Sequence, residues 1–357
     1  MPARLSPRRL RLAVCLLACL LAGCYDIQDT GDVPGGPDFA EAQGLNEGGE
    51  VVGYGSSATT NVATLWSPTA GLQVLPQLPG STSCVANGVN ENHLVVGACM
   101  LGASGQKKAV TWLAGQVKEI AFSGRTLLNS EALAVNANGE VAGTFRELNQ
   151  AIGVLDFAFT WDSRIPGGSP LGVTPLAADL SGSGTAAAIN SMGVMAGNAF
   201  VSRGPGMHLA YLWNPVTQKA SPIDNIPTLP PGTAGEARGI NDAWQIVGVA
   251  GGKGFLFTPG PGQTVGTVVV LPFEPYDINN KGQIVGTRPA LGSGKAQAVL
   301  YTISTGTMQD LATQVPNLAA SGWQWLDLAR AINDKGQIAG RGVTTTGAVH
   351  GFVMTPR

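Results

Sequence analysis

One phrase recurs seven times along this chain: "AQGLNEGGEVVG", "ANGVNENHLVVG", "ALAVNANGEVAG", "AAAINSMGVMAG", "ARGINDAWQIVG", "PYDINNKGQIVG" and "ARAINDKGQIAG". Its asparagines are Asn46, Asn90, Asn136, Asn190, Asn241, Asn279 and Asn333, spaced by 44, 46, 54, 51, 38 and 54 residues. A second phrase, from "ATLWSP" in the first copy to "GFVMTPR" in the last, follows each asparagine and alternates small and large apolar side chains as a sheet strand does. Several short strands per unit at a period in the forties predict a β-propeller, one four-stranded blade per unit.

The turn chemistry of the phrase is readable. Asn opening a type I turn hydrogen-bonds its own backbone two residues on, and a glycine three residues after it supplies the positive φ of a bulged hairpin. Gly49, Gly139, Gly193, Gly282 and Gly336 fill that place, whereas His93 and Trp244 replace it in the other two copies. A left-handed backbone would cost each of those two about 1 kcal/mol. Alanine or proline four residues ahead of Asn, and glycine at 53, 97, 143, 197, 248, 286 and 340, suggest strands crowding toward an axis.

Within a blade the strands are named a (before Asn), b (after it), c (the second phrase) and d, with d expected at segments such as 72–78 and 307–313. The last unit ends at strand c, and the segment "YDIQDTGDVPGG" ahead of the first asparagine has a strand to spare. The expected architecture is therefore all-β, a seven-bladed β-propeller closed by the N-terminal strand, which removes its open edges. Unequal spacings and complementary ends argue against an open β-solenoid. Hairpin register also places residue 84 opposite residue 99, so Cys84 and Cys99 are expected to form a disulfide.

The composition agrees. Fifty Gly and 23 Pro in 357 residues, with 44% hydrophobic and 12% charged residues, favour short strands and tight turns. No basic cluster follows the first dozen residues, which argues against a nucleic-acid partner.

The N-terminus, "MPARLSPRRLRLAVCLLACLLAGC", sets Arg4, Arg8, Arg9 and Arg11 before an apolar run too short to span a bilayer, so residues 1–23 read as an export signal. "LLAGC" resembles the lipobox of bacterial lipoproteins, which implies cleavage before Cys24 and lipidation of that residue. Losing residues 1–23 removes four Arg and no acid, moving the formal charge from −2 to −6. Tyr25 in place of an aspartate after Cys24 points to the outer membrane under general lipoprotein sorting rules. The mature domain, 24–357, would then be the propeller, anchored in the cell envelope through lipid.

The "INDKGQIVG"-like hairpins and "AFLW"-like strands resemble the HAF-type extracellular repeat proteins of bacteria, and the likeness runs from about Tyr25 to the end. "SGWQWLDLARAINDKGQIAG" resembles the last repeat of that family. Phe, Tyr or Met replaces Trp in the last three c strands, a departure from the pattern. The resemblance implies an exported repeat protein and names no active site.

Chemistry is sparse. The a-to-b turns are short and uniform, so binding is expected on the opposite face, whose loops vary: 144–156, 198–207, 287–297 and 315–325. Trp323 and Trp325 would share a strand face there and offer stacking platforms for a sugar or a partner's apolar anchor. Trp244 sits at a turn tip. Arg238 and Arg330, three residues before Asn, and Glu131, Glu236 and Glu274, five before it, could line the channel. His93, His208 and His350 form no recognisable ligand set, no cofactor motif is present, and "DLSGSG" at 179–184 falls short of a calcium cage.

The function expected from these features is a lipid-anchored extracytoplasmic binding or scaffolding module, taking an envelope polysaccharide or protein. The alternative is an enzyme acting on envelope polysaccharide through paired carboxylates at the channel mouth.

Overall fold

The computed structural model describes residues 25–102, 104–122, 124–149, 153–165, 171–173, 180–201, 207–223, 233–261, 266–289 and 294–357. The strands form seven four-stranded antiparallel sheets, each built from consecutive strands except the last. Blade 1 runs from Ala40–Leu45 through Val51–Ser56 and Asn61–Ser67 to Gly71–Val74. Blades 2 to 6 repeat the order a-b-c-d. Blade 7 takes strands a to c from Trp323–Ile332, Ile338–Thr344 and Val349–Pro356, and its fourth strand is Tyr25–Asp29 from the opposite end of the chain. That closing strand pairs antiparallel from Tyr25 with Pro356 to Asp29 with Phe352. The ring is shut by hydrogen bonds, as the spare N-terminal strand predicts.

The cores lie between neighbouring blades. Trp66, Trp112 and Trp213 are buried at one position of strand c, and Trp161 packs against the blade 2–3 cluster. Strand d is shorter than the sequence suggests: it stops at Val74 in blade 1 and at Asp310 in blade 6. In blade 6 the Asp310 carboxylate accepts the Ala312 amide and turns the chain into a 3-10 helix, Leu311–Gln314, that buries Leu311.

Each a-to-b hairpin is a tight turn in which the residue three after Asn donates its N–H to the Asn carbonyl. His93 and Trp244 adopt φ of 58° and 60° there, the left-handed backbone expected of them. Cys84 pairs with Cys99 across strands a and b of blade 2, and the two form a disulfide.

A feature the sequence reading missed repeats in all seven inner strands. The register of strand a against strand b slips between the residues four and two before Asn, from Ala42/Gly44 in blade 1 to Ala329/Ala331 in blade 7. Each slip is a β-bulge that leaves the residue three before Asn without a partner. The glycine seven after Asn lies opposite the bulge. A Cβ on it would collide with the backbone carbonyl oxygen of the residue five before Asn, in every blade. The seven glycines are thus required by close approach rather than by dihedral angle.

Candidate functional site

The bulges decide what faces the axis. Gln43, Asn87, Arg238, Tyr276 and Arg330, with the small or apolar Leu133 and Ala187, line a central cavity of about 660 Å³. Its wall is therefore uneven: amides on blades 1 and 2, apolar on blades 3 and 4, cationic and aromatic on blades 5 to 7. Small buried residues elsewhere on strand a, such as Ala42, Ala86, Ala186 and Ala237, let the seven strands converge without filling the axis.

Arg238 and Arg330, singled out by their shared repeat position, meet over one ring. Their guanidinium carbons lie 4.5 and 4.8 Å from the Tyr276 centroid, within the range of cation–π attraction. Arg238 bonds Glu274 at 2.7 Å and reaches Glu236 at 3.6 Å. Arg330 makes no ion pair or hydrogen bond among the described residues, and burial pushes its pKa down, opposed chiefly by Tyr276 and Glu41. Asp277, beside Tyr276, is half-buried and its carboxyl is pushed up to about 6, chiefly by desolvation. Its oxygens accept the amides of Ile278 at 2.8 Å and Ile332 at 2.9 Å, so it ties blade 6 to blade 7 rather than pairing Arg330 directly.

The two ends of the channel differ in charge. At the hairpin-turn end stand Glu47, Glu91, Asp242 and Asp334, which accept backbone N–H groups from the neighbouring turns: Asp334 N–H to Glu47, Glu47 N–H to Glu91, Ser191 N–H to Asp242 and Asn280 N–H to Asp334. None of the four is in an ion pair among the described residues. Toward the loop end, each glutamate five before Asn meets a cation: Glu41 with Arg341 at 2.9 Å, Glu131 with Lys107 at 3.0 Å, Glu236 and Glu274 with Arg238. A second cavity of about 570 Å³ opens at this end beside blades 2 to 5.

Glu236 and Glu274 hold the same guanidinium, so their nearest carboxylate oxygens are no more than about 10 Å apart, the outer limit for a glycosidase pair. Arg238 occupies the space between them, where a glycosidic oxygen would have to sit.

The tryptophans are corrected by the structure. Trp323 is 1% exposed and packs edge-on against Phe352, 5.9 Å between centroids. It is a core residue and offers no ring face to a ligand. A further bulge between Trp323 and Trp325 breaks the alternation that would have set both indoles on one face. Trp325 is half-buried, with the Lys295 ammonium 3.5 Å from its ring centroid. Trp244 is half-buried too, packed on the blade 4–5 cluster instead of standing free at the turn tip. Cys24 and the export signal lie outside the described residues, as do the His208 side chain and the Asp179 end of "DLSGSG". His93 and His350 stand in different blades, bonded to Glu50 and Asp29 respectively.

No family model matches the sequence, and no curated protein matches it. Solved structures do resemble the fold. The β-propeller domain of the trilobed protease from Pyrococcus furiosus, described as having an open velcro topology, aligns over 88% of this chain and 95% of its own, with a TM-score of 0.53 at 10% identity. Tricorn protease aligns over 92% of this chain with a TM-score of 0.51 at 12% identity, and this chain spans about a third of it. A prolyl endopeptidase aligns over 98% with a TM-score of 0.51 at 10% identity, and this chain spans about half of it. These likenesses are to the propeller fold alone. In contrast to an open ring, the present one is closed by its N-terminal strand.

Proposed function

We propose that this protein is a binding or scaffolding module of the bacterial cell envelope, lipid-anchored through Cys24, without catalytic activity of its own. The observation that carries the reading is the division of labour within the repeat. Asn, Ala and Gly recur where they build the frame, whereas the bulge sends a different side chain from nearly every blade into one shared lumen. A frame held constant around a varied inner ring is how a repeat protein presents a binding surface. The Cys84–Cys99 disulfide supports an oxidising compartment outside the cytoplasm. The resemblance to HAF-type repeat proteins and to the lipobox supports the same address.

The test is binding of the purified protein to a panel of envelope polysaccharides and, by crosslinking in cells, to envelope proteins, beside an Arg238→Ala, Tyr276→Ala variant of equal thermal stability. Loss of a ligand in that variant supports the channel as the site. Retention of every ligand places binding elsewhere on the ring. Release of new reducing ends by the parent, abolished in Glu274→Gln, would overturn the non-catalytic reading in favour of an enzyme acting on envelope polysaccharide.

A further inference from the structure

The Arg330 guanidinium lines the channel with a ring contact but with no ion pair or hydrogen bond among the described residues. Tyr276 lies beneath it, Arg238 stands beyond the same ring, and Glu41 belongs to Arg341. Asp277 draws on it through space while giving both oxygens to backbone amides. The guanidinium is half-buried in the cavity wall with its N–H fork unbonded among the described residues, so the fork is open to whatever occupies the channel. A planar carboxylate matches that fork in two parallel hydrogen bonds.

We propose that Arg330 is the anchor for a small monocarboxylate ligand, which enters the channel from the loop end. This rests on the binding-module reading and names its ligand chemistry. One net charge is on offer, because Arg238 is already committed to Glu236 and Glu274. That favours a monoanion over a phosphate dianion. The cavity, at about 660 Å³, suits a ligand of sugar-acid size. Gln43 and Asn87, on the next two blades around the ring from Arg330, each give their amide nitrogen to a neighbour, Gln43 to Glu41 and Asn87 to the Ala132 carbonyl. Their amide oxygens accept no hydrogen bond among the described residues, which leaves them as acceptors for a hydroxylated ligand in the cavity they line. Direction of entry follows from charge: the turn end carries four carboxylates without ion pairs, whereas the glutamates at the loop end are matched by cations.

The test uses the full purified chain at constant ionic strength. Arginine Nε–H signals are recorded by NMR, the Arg330 signal being the one missing from Arg330→Gln, during titration with acetate, glucuronate, glucose or inorganic phosphate. A saturable shift of the Arg330 signal with acetate and glucuronate, absent with glucose, is the expected result. Calorimetry with glucuronate is expected to weaken at least about tenfold, or 1.4 kcal/mol, in Arg330→Gln, and Arg330→Lys, which keeps charge without the fork, should fall between the two. A linear drift with every anion overturns the proposal, as does unchanged glucuronate binding in Arg330→Gln. Phosphate binding as tightly as glucuronate overturns the monocarboxylate assignment. If polysaccharide or protein ligands bind while Arg330 stays silent, this inference fails and the module reading stands. If the carboxylates bind while the panel does not, this inference stands and the assignment of a polysaccharide or protein ligand to the module fails.

Discussion

Each of the seven asparagines uses its side chain in two directions at once. Oδ1 accepts the amide four residues on, at 2.8–3.1 Å, which fixes the hairpin. Nδ2 donates to the carbonyl of the next asparagine, at 2.9–3.1 Å, from Asn46 to Asn90 and onward until Asn333 returns to Asn46. All seven are 2–5% exposed, so this closed belt of hydrogen bonds runs out of contact with solvent. Replacing Asn190 by Asp would set a carboxylate against the Asn241 carbonyl while keeping the turn acceptor. The expected loss is on the order of 2–4 kcal/mol, read as a lower denaturant midpoint with unchanged slope. A second residue-scale effect comes from Asp277. Its folded pKa of about 6 stands above the ordinary aspartate value of 3.8. Its contribution is thus fully present below about pH 3.8 and lost as pH rises through about 6. Stability should fall across that window by on the order of 2–3 kcal/mol, and Asp277→Asn should flatten the profile there.

At the scale of the strand, the bulge and the glycine opposite it act as a unit. The bulge brings the carbonyl five before Asn against the b strand, and only a residue without Cβ fits beneath it. Gly197→Ala would push against the Thr185 carbonyl, which is backbone and cannot swing aside. The expected cost is on the order of 2–4 kcal/mol, whereas Gly71→Ala, with open space around its site, should pay only for its positive φ. Chemical denaturation of the two variants side by side checks this. The closing strand carries its own pH dependence. His350 bonds Asp29 at 2.8 Å, and that hydrogen bond, with the charges of Asp29, Asp32 and Asp38, raises its pKa against desolvation. A histidine pKa raised in the fold gives stability that is full below the ordinary value of 6.5 and lost as pH rises through the folded value. Hydrogen exchange at residues 26–29 should therefore speed up above neutral pH by more than the intrinsic rate, and His350→Gln should abolish the excess.

At the scale of the whole ring, closure is made by groups more than 280 residues apart. The strand Tyr25–Asp29, the Asn333–Asn46 bond and the Asp334–Glu47 bond join blade 7 to blade 1 and to the N-terminus. Deleting residues 25–29 would expose an open edge on strand Val349–Pro356, and the expected outcome is a lower melting temperature with concentration-dependent association, measured by calorimetry and light scattering.

How far the sequence could be read follows from the range of the interactions involved. Blade number, hairpin turns, the left-handed His93 and Trp244, the Cys84–Cys99 pairing and the closing strand were legible, because each depends on residues close in sequence or on counting strands. The bulges were not read, although two nonpolar residues in succession before six of the seven asparagines, Asp277 being the exception, break the strict alternation of a strand and could have signalled them. Trp323 and Trp325 show the consequence: without the bulge their spacing suggests one face, and with it one indole is core. Arg238 and Arg330 were found by repeat position, but nothing local shows that Tyr276 from the blade between them lies under both. The sequence alone determined a seven-bladed closed ring, since periodic strands and turn residues are local instructions repeated along the chain. Tertiary structure alone decided which side chains share the axis and which charges go unpartnered, because those depend on backbone slips of one residue and on neighbours contributed by other blades.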